Sequence, residues 1–264
     1  MSKKKKAALV CSGGGALGAA LVGIVEKLEE KYEFDFYAGT SAGAMLVAFH
    51  ACGFSGPQIW KILNETNMAS LAFDFSEGNF GIIRGEKLSK IFGKHLNEKK
   101  FEDLQVPLFI GATNFSNGKR VTLSSGKIID ALRASISVPL VFEPFLHPDR
   151  KEWLVDGGLS QNLPLDIALE KYEGKKIFAL DTSSLEEDID FHESKWFGKA
   201  GNARKVIGRT LKIFFQNQQT NFPKDSRVQY VRPILSEFSG MDVFRLKQIY
   251  EAGKKHAETL DLEQ

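Results

Sequence analysis

Ala7-Ala8-Leu9-Val10-Cys11-Ser12-Gly13-Gly14-Gly15-Ala16-Leu17-Gly18 passes from an apolar run into a glycine turn and on into a helical pattern. Ala7 to Cys11 reads as a buried strand and Ser12 to Gly15 as a tight turn. Leu17 to Tyr32 reads as a helix, with Leu21, Ile24, Val25 and Leu28 on one face. The pattern then repeats. Phe34 to Ala38 is a strand, Gly39-Thr40-Ser41-Ala42-Gly43 a turn, and Ala44 to Ala51 a helix that Gly53 can terminate. Two successive β-turn-α units predict a parallel sheet covered by helices. Further strands are expected at Leu108 to Thr113, Lys119 to Leu123, Trp153 to Val155 and Lys176 to Leu180. Further helices are expected at Gly85 to Leu96, Ile128 to Ser135, Pro164 to Tyr172 and Val243 to Leu260.

A chain of 264 residues with this alternation is read as one domain over 1–264. Apolar residues at 43% and charged residues at 26% exclude a wholly disordered chain, a collagen-like fibre and a multi-span membrane protein. Lys plus Arg number 35 and Asp plus Glu 33, a balance that argues against a dedicated nucleic-acid binder. Cys11 and Cys52 make no disulfide framework and belong to no CxxC or His-rich cluster, which fits a reducing compartment. Lys3 to Lys6 before Ala7 to Cys11 imitate a signal peptide, but Ser12 to Gly15 break the apolar run too early. No apolar stretch of about 18 residues could cross a bilayer. The expectation is a soluble, cytoplasmic protein.

Charge shifts once along the chain. Residues 186–193 carry five acids and no Lys or Arg, whereas residues 195–232 carry nine Lys or Arg and one acid, Asp225. Within that basic segment Ile207, Leu211, Phe214 and Phe215 fall at helical spacing, with Trp196 and Phe197 upstream. Two readings stand: a surface helix with a solvated basic face, or peripheral contact with an anionic membrane. In the second, Lys199, Arg204, Lys205, Arg209 and Lys212 attract lipid while Trp196, Phe214 or Phe215 enters the interface.

Gly13, Gly15 and Gly18 satisfy G-x-G-x-x-G after a strand, and Asp35 lies near the position of a ribose-binding acid, so a nucleotide-binding protein is a competing reading. That reading leaves the second turn unexplained. Gly39-Thr40-Ser41-Ala42-Gly43 is a G-x-S-x-G on its own strand-to-helix bend, where a sharp turn exposes the serine oxygen at the carboxyl end of the sheet. An acyl-transfer enzyme with a serine nucleophile needs backbone N–H donors for the oxyanion, and Gly13 to Ala16 can supply them. A base is also required. His50, His95, His147, His192 and His256 all sit where a structural or solvated role suffices. Asp156, before Gly157-Gly158 at the end of a buried strand, is either the base or a turn-capping residue.

Ser12-Gly13-Gly14-Gly15, Gly39-Thr40-Ser41-Ala42-Gly43 and Asp156-Gly157-Gly158, in that order, resemble the patatin-like phospholipases, serine acyl hydrolases with a Ser-Asp dyad. The likeness extends to Ala131-Leu132-Arg133-Ala134-Ser135-Ile136-Ser137-Val138-Pro139, Phe142-Glu143-Pro144 and Asn162-Leu163-Pro164. It covers residues 7–183 or so, with 184–264 read as a C-terminal extension of the same domain. The resemblance implies an α/β/α sandwich with a mostly parallel central sheet. It implies Ser41 as nucleophile, Asp156 as base, and the N–H groups of Gly14 and Gly15, helped by Gly13 or Ala16, as oxyanion hole. Phospholipids or related fatty acyl esters would be the substrates, with no metal or organic cofactor. Where the family usually has Arg or Lys two residues after the glycine run, this chain has Leu17. A relaxed site in a catalytically silent lipid-binding scaffold is therefore a third reading.

An aspartate with a solution pKa near ~3.9 is a weak base, so the site is expected to be partly dry. Phe73, Phe75, Phe80, Ile82, Ile83, Leu140, Phe142 and Phe145 are candidates for an acyl channel or, more plainly, for core.

Overall fold

The computed structural model describes residues 3–66, 83–96, 98–183, 210, 213–214 and 224–262. Strand β1 (Lys5–Cys11) leads through a 3-10 turn at Gly15–Leu17 into α1 (Gly18–Leu28), and β2 (Tyr32–Thr40) leads into α2 (Ala42–Ala51) and α3 (Gly56–Glu65). After α4 (Glu86–Leu96) come β3 (Leu108–Asn114), β4 (Arg120–Leu123) and α5 (Ile128–Ser135). Strands β5 (Phe145–Leu146) and β6 (Trp153–Asp156) precede α6 (Leu165–Lys171) and β7 (Ile177–Leu180). Strand β8 (Val228–Val231) and α7 (Leu246–Ala257) complete the described chain.

The eight strands form one sheet in the order β5-β6-β3-β2-β1-β7-β8, with β4 on the other flank of β3. Pairings β1–β2, β1–β7, β2–β3 and β7–β8 are parallel, while β3–β4, β3–β6 and β5–β6 are antiparallel. Side-chain alternation along β1 builds two cores. Leu9 and Cys11 face a large cluster shared with α1, α2, α3, α4, α5 and α7. Ala8 and Val10 face a smaller cluster shared with α6. Helices thus cover both faces of a mostly parallel sheet. Because β8 pairs with β7 and Gly253 of α7 lies against Ala20 of α1, the described stretch 224–262 shares this sheet and core. No helix among the described residues is long and apolar enough to cross a membrane.

The helix expected over Leu17–Tyr32 is shorter, because Tyr32 already starts β2. From Tyr32 to Asp35 burial alternates with period two, and the buried Tyr32 and Phe34 enter the core as strand residues. Helix α3, absent from the expectation, carried a readable start signal: Ser55 caps the helix with Gln58 in a capping box, and Pro57 sits in the first turn. Of the suggested channel residues, Phe73, Phe75, Phe80 and Ile82 lie outside the described residues. Of the basic segment, Ile213 and Phe214 are helical and exposed, while Trp196, Lys199, Arg204, Lys205, Arg209, Lys212 and Phe215 lie outside.

Candidate active site

Ser41 occupies the bend between β2 and α2 with φ 53° and ψ −123°, a conformation that costs a non-glycine residue about 1–3 kcal/mol. Surrounding contacts hold it there. The Ser41 N–H donates to Ser135 Oγ at 2.8 Å, and the Ser135 hydroxyl donates to the Gly111 carbonyl at 2.6 Å. Ser135 is fully buried at the end of α5, so it ties the elbow to β3. Gly43 makes the bend possible from the other side: a Cβ there would lie 2.4 Å from the Ser12 carbonyl oxygen.

Asp156 reaches the elbow through strand register. Thr40 pairs with Gly111 of β3, and Asp156 pairs with Ala112, the next residue. Since β4 fills the other flank of β3 at both positions, β6 occupies the flank that β2 vacates. The end of β6 therefore abuts the end of β2. Gly157 permits this close approach, because a Cβ there would lie 2.3 Å from the Gly111 carbonyl oxygen and 2.9 Å from Thr40 Cγ2.

The Asp156 carboxyl is completely buried. Its Oδ1 accepts the Gly158 N–H at 2.7 Å, whereas Oδ2 has no hydrogen-bond partner among the described residues. Burial pushes its pKa up to about 7, opposed by the neighbouring Ser41 hydroxyl and the Gly158 N–H. The Ser41 hydroxyl favours the charged form of the carboxyl. Asp156 also caps the 3-10 turn Gly157–Leu159, as its sequence context allowed, so the capping and facing roles coincide in one residue.

The glycine run lies directly beside the serine: a Cβ on Gly13 would fall 2.9 Å from Ser41 Cβ and 2.7 Å from Asn162 Oδ1. Its four candidate donors are not equivalent. The Gly13 N–H is taken by Asn162, at 3.1 Å to Oδ1 and 3.3 Å to the carbonyl oxygen, and the Ala16 N–H by the Gly240 carbonyl at 2.8 Å. These two expected donors are therefore occupied. The N–H groups of Gly14 and Gly15 have no acceptor among the described residues, which leaves them open to a ligand. The Gly13 carbonyl is fixed in turn by the Thr182 hydroxyl and by the Ser12 hydroxyl at 3.1 Å. Ser12, Ser135, Asn162 and Thr182 are thus positioning residues of this site. Motif spacing gives Thr182 no signal, because its contact joins the ends of two neighbouring strands, β1 and β7, that lie far apart in the sequence.

The described histidines stand apart. His50 contacts the Tyr37 hydroxyl at 2.9 Å and Glu29 at 3.1 Å, His95 packs against Phe49 and Phe54, and His147 is buried near Asp130. His192 lies outside the described residues. Asp35 also leaves its expected role. It sits between Phe34 and Phe36, which pair with Ala7 and Ala8, whereas Gly39 pairs with Cys11 beside the glycine turn. Four strand residues, about 13 Å, separate it from that turn. Asp35 instead binds Lys6 at 3.3 Å and the Tyr172 hydroxyl at 3.0 Å. Gly18 lets α1 pack on α2, since a Cβ there would meet Ala42 Cβ at 2.6 Å. The nucleotide-binding reading of Gly13, Gly15 and Gly18 with Asp35 is thereby corrected. Leu17 is buried in the core, so no side chain at this position points toward a bound phosphate without disturbing the packing.

The sequence profile of the Patatin-like phospholipase family matches residues 9–169, more than half of the chain, including Ser41, Asp156 and Asn162. The chain belongs to the patatin-like phospholipase family. Patatin-like phospholipase domain-containing protein 6 of Mus musculus is 25% identical over 275 residues, covering 96% of this chain and 20% of that protein. Lysophospholipase NTE1 of Yarrowia lipolytica is 24% identical over 271 residues, covering 94% of this chain and 19% of that protein. The chain therefore spans about a fifth of the length of these relatives. The crystal structure of VipD from Legionella pneumophila superposes with a TM-score of 0.59 at 16% identity, covering 98% of this chain and 67% of that one. It shares the patatin-like α/β fold.

Proposed function

We propose that this patatin-like phospholipase family member hydrolyses fatty acyl esters of phospholipids or lysophospholipids through Ser41 and Asp156. The observation that carries this reading is a strained serine beside a fully buried carboxyl whose Oδ2 has no partner among the described residues. Asp156 Oδ2 takes the Ser41 hydroxyl proton as Oγ bonds to the ester carbonyl carbon. The N–H groups of Gly14 and Gly15 meet the oxyanion of the tetrahedral intermediate. Collapse breaks the ester C–O bond, and the departing alcohol or lysolipid takes the proton back from Asp156. A water molecule then repeats the sequence on the acyl-enzyme and releases the fatty acid. The relative named a lysophospholipase supports a substrate with one acyl chain as the first to test.

Peripheral contact with a lipid surface belongs to the same proposal. Phe115 follows β3, its N–H bonds the Trp153 carbonyl, and Leu146 pairs with Trp153, so three exposed apolar side chains gather at the catalytic edge of the sheet. Leu140, 72% exposed with φ 69°, lies in the loop after Ser137, whose carbonyl accepts the Asp156 N–H. Exposed apolar side chains at the mouth of a lipid hydrolase support access from a membrane.

Turnover of lysophosphatidylcholine, phosphatidylcholine and a short soluble ester, with Ser41→Ala alongside, tests the reading. Activity lost in Ser41→Ala supports it. A folded wild-type chain that binds vesicles yet turns over none of the three would instead establish a silent scaffold.

A further inference from the structure

A cavity of about 770 Å³ opens at the amino edge of the sheet, away from Ser41. Lys5 and Lys6 of β1, Lys171 at the end of α6, and Lys175 and Lys176 before β7 line it, against two carboxylates, Asp35 and Glu173. That is a formal +3 in one cavity of a chain whose total is +2. Asp35 is already engaged by Lys6 and the Tyr172 hydroxyl, and Lys171 lies 3.4 Å from Glu170. Lys5 and Lys175 form no ion pair among the described residues.

Two features set this apart from an ordinary solvated surface. Lys176 is half-buried with its ammonium 5.4 Å from the Phe178 ring centroid, and burial first and nearby Lys5 second lower its pKa, only partly offset by Asp261. The sheet thus holds like charges close enough to oppose one another, an arrangement that an anion relieves. The C-terminal dipole of α6 accounts for Lys171 but not for the lysines of β1 and β7.

We propose that this cavity binds a soluble polyphosphate-bearing anion. One carboxylate would leave most of the cavity charge unneutralised, whereas linked phosphates present several charged oxygens to lysines spread around the wall, each acting as a point charge. A cavity of this volume accommodates a small organic anion. A phospholipid headgroup carries the same phosphate chemistry, but position decides between the sources. Asp35 and Ser41 are six strand residues apart, about 20 Å, at opposite edges of the sheet. A bilayer seated on the lysines would leave Ser41 facing away from it.

Calorimetric titration of the full chain with tripolyphosphate tests the assignment. Saturable one-site binding that weakens with added salt is expected. The double variant Lys5→Gln/Lys175→Gln should lose affinity by about tenfold or more, while Lys61→Gln/Lys90→Gln, on α3 and α4, should bind as the wild type does. Turnover of a soluble ester in each variant confirms folding and separates this proposal from the fate of the Ser41-Asp156 reading. Equal loss in both double variants would reveal diffuse charge attraction and overturn it. So would absence of saturation, or binding confined to phosphatidylserine vesicles and lost in Lys5→Gln/Lys175→Gln.

Discussion

Ser41 and Asp156 meet because two strands stop head to head on one flank of β3, where Gly111 pairs with Thr40 and Ala112 with Asp156. Sequence separation between the two residues is large, yet one step of register sets their approach. A slip of β6 by one residue would turn the carboxyl to the other face of the sheet. Gly111 and Gly157 make the junction tight enough for contact, since neither position has room for a Cβ.

Strain at the elbow is separable from chemistry. Ser41→Ala and Ser41→Gly should both be inactive, but only glycine accepts φ 53° and ψ −123° without strain. Chemical denaturation should find Ser41→Gly more stable than Ser41→Ala by about 1–3 kcal/mol. Equal stability would place the strain elsewhere.

Activity should follow the ionisation of Asp156. With its pKa raised to about 7, kcat/KM should rise with pH through that region and level off above it. Folding stability runs the opposite way. A carboxyl whose pKa is raised in the folded state binds more protons there than in the unfolded chain between about pH 4 and pH 7, so its contribution falls as pH rises through that window. Asp156→Asn removes the effect. Relative to the wild type, it should gain on the order of 2 kcal/mol between pH 5 and pH 8, read by denaturation at the two values, while turnover is lost at both.

Ser135 should matter to rate although it touches no substrate. Ser135→Ala leaves the Ser41 N–H without its acceptor, and a lost buried hydrogen bond costs about 1–3 kcal/mol. A fall in kcat with KM little changed, recovered in part by Ser135→Thr, is the expected pattern. Loss of stability with kcat intact would make Ser135 a packing residue alone.

Leu17→Arg should destabilise the fold, because the new guanidinium replaces a buried leucine in the largest core. A drop in Tm is the expected readout. An unchanged Tm would mean that the 3-10 turn at Gly15–Leu17 yields easily enough to let the cation reach water.

The parts of this site that were legible in the sequence are those built within one β-turn-α unit. Ser41 and the glycine run each follow a strand directly, so local pattern placed them. Asp156 was ambiguous from its neighbours alone, because Asp-Gly caps a turn wherever it occurs. Family resemblance singled it out, and the β3 register shows how it reaches the elbow. Which glycine-run donors stay open depended on Asn162 and Gly240, far along the chain, whose carbonyl and amide oxygens occupy the Gly13 and Ala16 N–H groups. β5 has only two residues, too few for periodicity to register, and β8, as long as β4, β6 and β7, fully buries Val231 alone, so no buried apolar run marks it. Asp35 misled because spacing along the chain does not say at which end of a strand a residue sits.

Peptide mapping after fluorophosphonate labelling tests the Ser41-Asp156 pair most directly. One adduct is expected, on Ser41, formed faster at pH 8 than at pH 6, strongly slowed in Asp156→Asn and unaffected by substitution of any histidine. An adduct on another serine, or labelling of Ser41 that proceeds at the wild-type rate in Asp156→Asn, would contradict that pairing.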